Sequence, residues 1–268
     1  MKFDLHTHHN RCGHAEGGIR EYIESAIEQG LSVIGISDHS PYFAMPVDQA
    51  FPKIAMAKSQ FSAYIEQVLQ LKKEYASKIE VLLGVESDYF PDELDAYKKA
   101  YQNVPFDYII GSVHSVKGIS IFNRNRWKKL NEEQKIVEKE LYYDLIEQSA
   151  RSGMFDILGH IDAMKGFYPE FTSIPTDRVD TALKVIAQCD VAIEINTSGK
   201  TKDCGGWYPS DEVLEKALHY GVKVTFGSDA HIPERVGDEF ELVVQRLKDI
   251  GFKQWACFRN RERYMVEL

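Results

Sequence analysis

The sequence Met1-Lys2-Phe3-Asp4-Leu5-His6-Thr7-His8 at the start of the chain gives the first indication of its fold. Its apolar residues Phe3 and Leu5 predict a short buried strand, and two histidines follow it directly. Because side chains in a strand alternate between its two faces, His6 and His8 point in the same direction. Two histidines at this spacing could bind one metal ion, although the pair alone could equally be two surface polar residues.

The same arrangement, an apolar run that ends in histidine or a carboxylate, recurs along the chain. The runs and their end groups are 33–36 with Asp38 and His39, 81–85 with Glu86, 108–113 with His114, 155–159 with His160, and 224–227 with Asp229 and His231. A further run, 191–195, leads to Asn196, whereas His14 lies in a predicted loop. Continuous apolar runs of this length are typical of strands buried on both faces of a parallel sheet.

Helical patterns fill the gaps between these runs. They are predicted at 19–29, 57–78, 93–102, 132–152, 177–188, 210–220 and 238–250. Several are followed or ended by glycine, such as Gly30, Gly153 and Gly251, which is a common way for a helix to end. Strand followed by helix, seven times over, indicates βα units wound in one hand.

The position of the polar groups favours a closed barrel over an open sheet. Working residues of a βα barrel lie at the C-terminal ends of its strands, whereas an open doubly wound sheet gathers its ligands at one switch point. Here polar groups end six strands. We therefore predict a distorted (β/α)7 TIM-like barrel that forms a single domain over residues 1–268, with the tail segment 255–258 as a possible closing piece.

Composition limits the classes of partner. The 268 residues carry a net charge of −9, from 32 basic and 41 acidic side chains, which disfavours duplex nucleic acid or anionic membrane as a partner. There is no 18-residue apolar segment and no paired spacing among the four cysteines. Because the first motif begins within the first six residues, we expect no signal peptide. We expect a cytoplasmic protein without nucleic-acid or membrane partners; the sequence does not indicate its oligomeric state.

Six ordered motifs, together with Glu86, resemble those of the polymerase and histidinol phosphatase (PHP) superfamily, and most of all its stand-alone histidinol-phosphatase branch. The motifs are Asp4-Leu5-His6-Thr7-His8, Ile36-Ser37-Asp38-His39-Ser40, Gly111-Ser112-Val113-His114, Gly159-His160-Ile161-Asp162, Asn196-Thr197-Ser198-Gly199 and Gly227-Ser228-Asp229-Ala230-His231. The resemblance runs from Phe3 to about Arg235. It implies a (β/α)7 barrel with three metal ions at its mouth, and hydrolysis of L-histidinol phosphate to L-histidinol and phosphate in histidine biosynthesis.

The resemblance also implies a set of metal ligands. The first ion would be held by His6, His8, Glu86 and Asp229, the second by Glu86 as a bridge with His114 and His160, and the third by His14, His39 and His231. Glu86, Asp229 and His231 would in addition be catalytic. Imidazole and carboxylate donors suit zinc, iron(II) or manganese, and the sequence does not choose among these metals.

Several polar residues near the motifs allow two interpretations. Asp4 could orient a ligand imidazole or be satisfied by backbone groups inside the barrel. Asp38 could orient His39 or act at the metals themselves. Among the other candidates, Cys12 and His9 are not expected to bind metal.

Phosphate binding is where the chain departs from the histidinol-phosphatase branch. Many relatives carry Leu-Arg after the 196–199 motif, whereas Lys200-Thr201-Lys202 follows here. Lysine binds phosphate as a point charge, without the bidentate fork of arginine, which Arg235 could supply instead. The predicted substrate-binding residues are therefore Arg235, Lys200 and Lys202, and the predicted substrate is a small anionic phosphomonoester.

Two other classes of function remain open. One is a different phosphoesterase of the superfamily, such as a nucleotide phosphatase or an exonuclease, but a polynucleotide would need a basic, aromatic-lined groove. The other is a non-catalytic domain that only keeps the fold. Eroded ligands would be expected in that case, whereas the ligand set here is complete.

Overall fold

The computed structural model describes residues 1–49 and 53–268 of the chain. Its strands are β1 (Phe3–Asp4), β2 (Val33–Ile36), β3 (Glu80–Leu83), β4 (Glu86–Asp88), β5 (Ile110–Ser112), β6 (Ser115–Val116), β7 (Ile119–Ser120), β8 (Ile157–Leu158), β9 (Ala192–Asn196), β10 (Lys223–Gly227), β11 (Gln254–Arg259) and β12 (Glu262–Glu267). Its α-helices are α1 (Ile19–Glu28), α2 (Phe61–Glu74), α3 (Leu94–Tyr101), α4 (Glu132–Arg151), α5 (Arg178–Gln188), α6 (Asp211–Tyr220) and α7 (Phe240–Ile250).

The parallel strands form a ring. One sheet has the order β1-β2-β3 and the other β10-β9-β8-β5-β4. β3 and β4 are two halves of one bent strand, because hydrogen bonding to the neighbouring strands continues through Gly84 and Val85. The ring closes where Leu5 N donates to Phe226 O at 3.1 Å, which joins β1 to β10. Seven strand positions result among the described residues, and the predicted distorted (β/α)7 barrel is confirmed.

A tyrosine fills the barrel interior. Tyr108 is fully buried, and its hydroxyl donates to Leu5 O at 2.6 Å. The ring has room only because its neighbours are glycines: a Cβ on Gly35 or Gly84 would lie 2.0 or 2.4 Å from Tyr108. The helices cover the outside through apolar faces, as in α1, where the buried residues are three or four apart.

Several predicted elements are longer than the observed ones. The predicted strands at 108–113 and 155–159 shrink to β5 and β8, since these two strands pair only at Ile110–Gly111 and Ile157–Leu158. The predicted helix at 57–78 is α2, preceded by a short 3₁₀ turn at Lys58–Gln60. Among the described helices, none has the length and hydropathy needed to cross a bilayer.

The tail does not serve as an additional barrel strand. Residues 255–258 belong to β11, which, among the strands of the described residues, pairs only with β12 in an antiparallel hairpin. Trp255 packs against Phe3 and Phe240, with ring centroids 4.7 and 4.9 Å apart. Three hairpin arginines pair with acids at the N-terminal ends of barrel strands: Arg259 with Glu80, Arg261 with Asp156, and Arg263 with Asp190. The hairpin therefore covers the N-terminal end of the barrel, whereas the contact between β1 and β10 closes the ring of strands.

Candidate metal centre

The predicted ligands surround one cavity at the C-terminal end of the barrel. This cavity has a volume of about 450 Å³, and its lining includes His14, His39, Glu86, His114, His160, Asp229 and His231. His6 and His8 are buried just beneath it. The side chains converge because each one lies at the C-terminal end of a strand of the same ring, or in the loop that comes after that strand.

Four donor atoms form a first cluster. His8 Nε2 lies 3.0 Å from Asp229 Oδ1 and 3.7 Å from Glu86 Oε2. His6 Nε2 lies 3.5 Å from Glu86 Oε2 and 3.8 Å from Asp229 Oδ1. Two imidazole nitrogens and two carboxylate oxygens therefore surround one point, as the ligands of a single ion would.

A second cluster uses the other oxygen of Glu86. Glu86 Oε1 lies 3.1 Å from His160 Nε2 and 3.4 Å from His114 Nε2, and the two nitrogens are 3.3 Å apart. Glu86 is almost fully buried between the clusters, with one oxygen directed at each. This is the arrangement that a bridging carboxylate requires.

The third group, His14, His39 and His231, is less compact. Nε2 of His14 and Nε2 of His231 are 2.9 Å apart at the cavity mouth. The Nδ1 atom of His39 instead lies 2.7 Å from Glu86 Oε2. Donor atoms of His8, His39 and His231 also lie within 4.8 Å of one another, so this third cluster adjoins the first.

Buried polar atoms without partners indicate that the site suits cations. His6 Nε2, His8 Nε2 and Glu86 Oε2 are buried, and none of them makes a hydrogen bond to another described residue. Buried polar groups are normally paired, and a divalent ion would satisfy several such atoms together. The donor set, imidazole with carboxylate, fits zinc, iron(II) or manganese.

The electrostatics of the site also favour a bound cation. Burial would raise the pKa of Glu86 and of Asp229, but the surrounding imidazoles hold both pKa values well below the usual range. Both side chains are therefore ionised. Burial opposes protonation of His6, yet the carboxylates of Glu194, Asp229 and Glu86 raise its pKa well above the ordinary value. Positive charge is stabilised where these side chains meet.

Carboxylates behind the imidazoles fix their orientation. His6 Nδ1 lies 2.6 Å from Glu194 Oε1, and His114 Nδ1 lies 2.8 Å from Asp88 Oδ1. Sequence reasoning missed Glu194, although a lone acid inside the apolar run 191–195 was a visible signal. Each contact leaves Nε2 of the ring to face the cavity.

The hydrogen bonds of Asp4 and Asp38 decide between the two roles that the sequence allows for each. Asp4 accepts backbone hydrogen bonds from His6, Ser228 and Gly237, so it is satisfied by backbone. Asp38 Oδ1 accepts from His39 N at 2.9 Å and lies 3.3 Å from His8 Nδ1, which makes it an orienting group.

The predicted substrate-binding residues are in different environments. Lys202 and Arg235 line the cavity, but Arg235 Nε also donates to Asp238 Oδ2 at 3.0 Å. Lys200 is not part of the lining, and its Nζ lies 2.7 Å from Asp238 Oδ1 and 3.2 Å from Glu239 Oε1. Lys202 has no ion-pair partner within the part of the chain that the structure describes.

Two relatives are similar to the chain over nearly its full length. The probable histidinol-phosphatase of Deinococcus radiodurans is 34% identical over 261 residues, which cover 97% of each chain. The histidinol-phosphatase of Bacillus subtilis is 30% identical, with 92% of this chain and 99% of the relative covered.

Solved structures share the fold. A crystal structure of histidinol phosphate phosphatase from Lactococcus lactis, complexed with zinc, L-histidinol and phosphate, has a TM-score of 0.80 at 20% identity and covers 98% of each chain. The putative histidinol phosphatase of Listeria monocytogenes has a TM-score of 0.78 at 24% identity, with 90% of this chain and 99% of that one covered.

The family model for the PHP domain matches residues 4–198, which include four of the six sequence motifs in full, the first three residues of a fifth, and most of the barrel. On this match and on the near full-length relatives, the chain belongs to the PHP domain family and to its stand-alone histidinol-phosphatase branch.

Proposed function

We propose that the protein is a metal-dependent phosphomonoesterase that hydrolyses L-histidinol phosphate to L-histidinol and phosphate. One observation carries the chemistry: Glu86 divides its two oxygens between two imidazole clusters at the floor of a cavity of about 450 Å³. A cavity of this size suits a small molecule. The relatives named histidinol-phosphatase, which match nearly the whole chain, support the substrate.

Nine residues are proposed as ligands of about three divalent ions. His6, His8, Glu86 and Asp229 would hold the first, Glu86, His114 and His160 the second, and His14, His39 and His231 the third. Zinc is the metal in the Lactococcus lactis relative, and iron(II) and manganese suit the same donors. Such ions would supply Lewis acidity and would lower the pKa of coordinated water, in the case of zinc to about 7.

The proposed roles of the catalytic residues follow from their positions. Glu86 fixes the spacing of the first two clusters. Asp229, whose carboxylate is ionised, accepts a hydrogen bond from Ser198 Oγ at 3.0 Å and is held as a ligand rather than as a proton donor. His231, with its side chain 33% exposed at the mouth, would contact the phosphoryl group as it enters.

The other contacts with substrate are proposed from the cavity wall. Lys202 would bind the phosphate, because it lines the cavity and has no ion-pair partner among the described residues. Arg235 would add a second contact if it turns from Asp238. Phe122, Phe167 and Ile232 supply an apolar wall for the rest of the substrate.

Phosphate release from a panel of substrates tests the assignment. The panel holds L-histidinol phosphate, nucleoside monophosphates and a phosphodiester, each incubated with protein of measured metal content. We expect kcat/KM to be highest for L-histidinol phosphate. A higher kcat/KM for a nucleotide or the diester would favour a different phosphoesterase of the family.

A further inference from the structure

Glu194 is a buried carboxylate outside the proposed ligand set. It lies in the middle of β9, where every residue is buried, and only 1% of its surface is exposed. Burying a carboxylate is costly unless hydrogen bonds or charges compensate for it. Hydrogen bonds from the groups around Glu194 must therefore compensate for the cost of burying its carboxylate.

One oxygen of Glu194 controls a ligand of the first cluster. Oε1 lies 2.6 Å from His6 Nδ1, and a carboxylate can only accept, so the imidazole N–H donates. This fixes the tautomer of His6. Nε2 is then the nitrogen directed at the first cluster, where it is buried and has no hydrogen-bond partner among the described residues.

The other oxygen controls a ligand of the second cluster. Glu194 Oε2 accepts from His160 N at 3.1 Å and from Asn196 Nδ2 at 2.9 Å. His160 has a φ of 27°, a backbone conformation that non-glycine residues rarely adopt. Its Nε2 nevertheless lies 3.1 Å from Glu86 Oε1. The bond to Glu194 thus helps to hold the strained backbone that directs the ring to Glu86.

Glycine at position 227 makes the contact between Glu194 and His6 possible. A Cβ built on Gly227, at the end of β10, would lie 2.0 Å from Glu194 Oε1 and 2.5 Å from His6 Cβ. Any side chain at this position would separate the two residues. The local sequence of β10 is therefore matched to the acid on β9.

We infer that Glu194 is a positioning residue that couples the first two metal sites. A single carboxylate sets the ring of His6 in one cluster and the backbone of His160 in the other, so that ion binding at both depends on it. This inference rests on the proposed function, because it requires the histidines to bind metal. Asp88 offers a contrast, since its side chain supports the ring of His114 in the second cluster alone.

The test compares Glu194→Gln with Asp88→Asn. An amide has one acceptor oxygen, so glutamine at 194 cannot accept from both His6 Nδ1 and His160 N, and its NH₂ group faces a donor. Loss of an outer hydrogen bond to a ligand typically lowers metal affinity 10- to 100-fold. We expect Glu194→Gln to lower the affinity for two of about three zinc ions by roughly that factor. Asp88→Asn should lower the affinity for only one. Equilibrium dialysis at buffered free zinc, with elemental analysis, measures both.

The possible outcomes are distinct. The coupling role is overturned if the zinc-binding isotherm of Glu194→Gln superimposes on that of the wild type. It is also overturned if Glu194→Gln loses affinity for a single ion, as Asp88→Asn does. Thermal unfolding of the metal-free proteins is the second readout, and we expect metal-free Glu194→Gln to be no less stable than wild type. A markedly lower stability of that metal-free variant would make Glu194 a folding residue and overturn the inference. Wild type that binds no zinc would instead contradict the proposed function.

Discussion

Three of the imidazoles at the centre have a carboxylate behind them. Glu194 contacts His6, Asp38 contacts His8, and Asp88 contacts His114, with oxygen–nitrogen distances of 2.6, 3.3 and 2.8 Å. Such contacts fix the tautomer and the direction of a ring before an ion binds, so the site is preorganised.

Glu86 is the residue on which both main clusters depend. Glu86→Gln removes the charge and one acceptor oxygen, so we expect loss of metal at two positions and a fall in turnover by orders of magnitude. Elemental analysis and phosphate-release kinetics measure the effects. Glu133→Gln, an exposed glutamate on α4, is the matched control and should behave as wild type. Normal metal content in Glu86→Gln would show that Glu86 does not bridge.

Lys202 and Lys200 provide a matched pair for phosphate binding. A charge-assisted hydrogen bond contributes roughly 1.5–3 kcal/mol, so Lys202→Ala should lower kcat/KM for L-histidinol phosphate by roughly 10- to 150-fold. Lys200→Ala should stay within about twofold, because Lys200 lies outside the cavity lining and its partly exposed ion pairs with Asp238 and Glu239 contribute little. The reverse ranking would assign the phosphate contact to Lys200.

At the scale of secondary-structure elements, the sequence predicted where strands and helices lie better than where they end. Apolar runs identify the strands because barrel strands are buried on both faces. Their ends depend on pairing with neighbours that are distant in sequence, as in the two-residue contact between β5 and β8. Glu194 was missed for a similar reason, since its partners His6 and His160 follow strands β1 and β8, which are distant from β9 in sequence.

The C-terminal hairpin is an element whose role became visible only in three dimensions. Trp255 on β11 is 1% exposed and packs against aromatic rings from β1, β10 and α7. Trp255→Ala should lower the free energy of unfolding by roughly 3–5 kcal/mol, because it leaves a large cavity under the barrel. Denaturant unfolding measures this change, and a loss below about 1 kcal/mol would mean that the hairpin does not stabilise the barrel.

At the scale of the whole molecule, a net charge of −9 coexists with a site built for cations. An ion that binds only the folded state stabilises it by about 2.7 kcal/mol at a hundredfold excess over its Kd. Chelation should therefore lower Tm by roughly 5–10 °C per tightly bound ion. Differential scanning calorimetry with and without chelator checks this, and zinc added back should restore Tm. An unchanged Tm would argue against tightly bound ions.

The most direct test of the proposed function is hydrolysis of L-histidinol phosphate by protein whose metal content is measured on the same sample. We predict release of phosphate and L-histidinol in equal amounts by protein that carries about three transition-metal ions per chain, with the activity abolished by chelation and recovered when metal is returned. Full activity in protein that holds no metal, or no hydrolysis by the fully loaded protein, would contradict the proposed metal-dependent function.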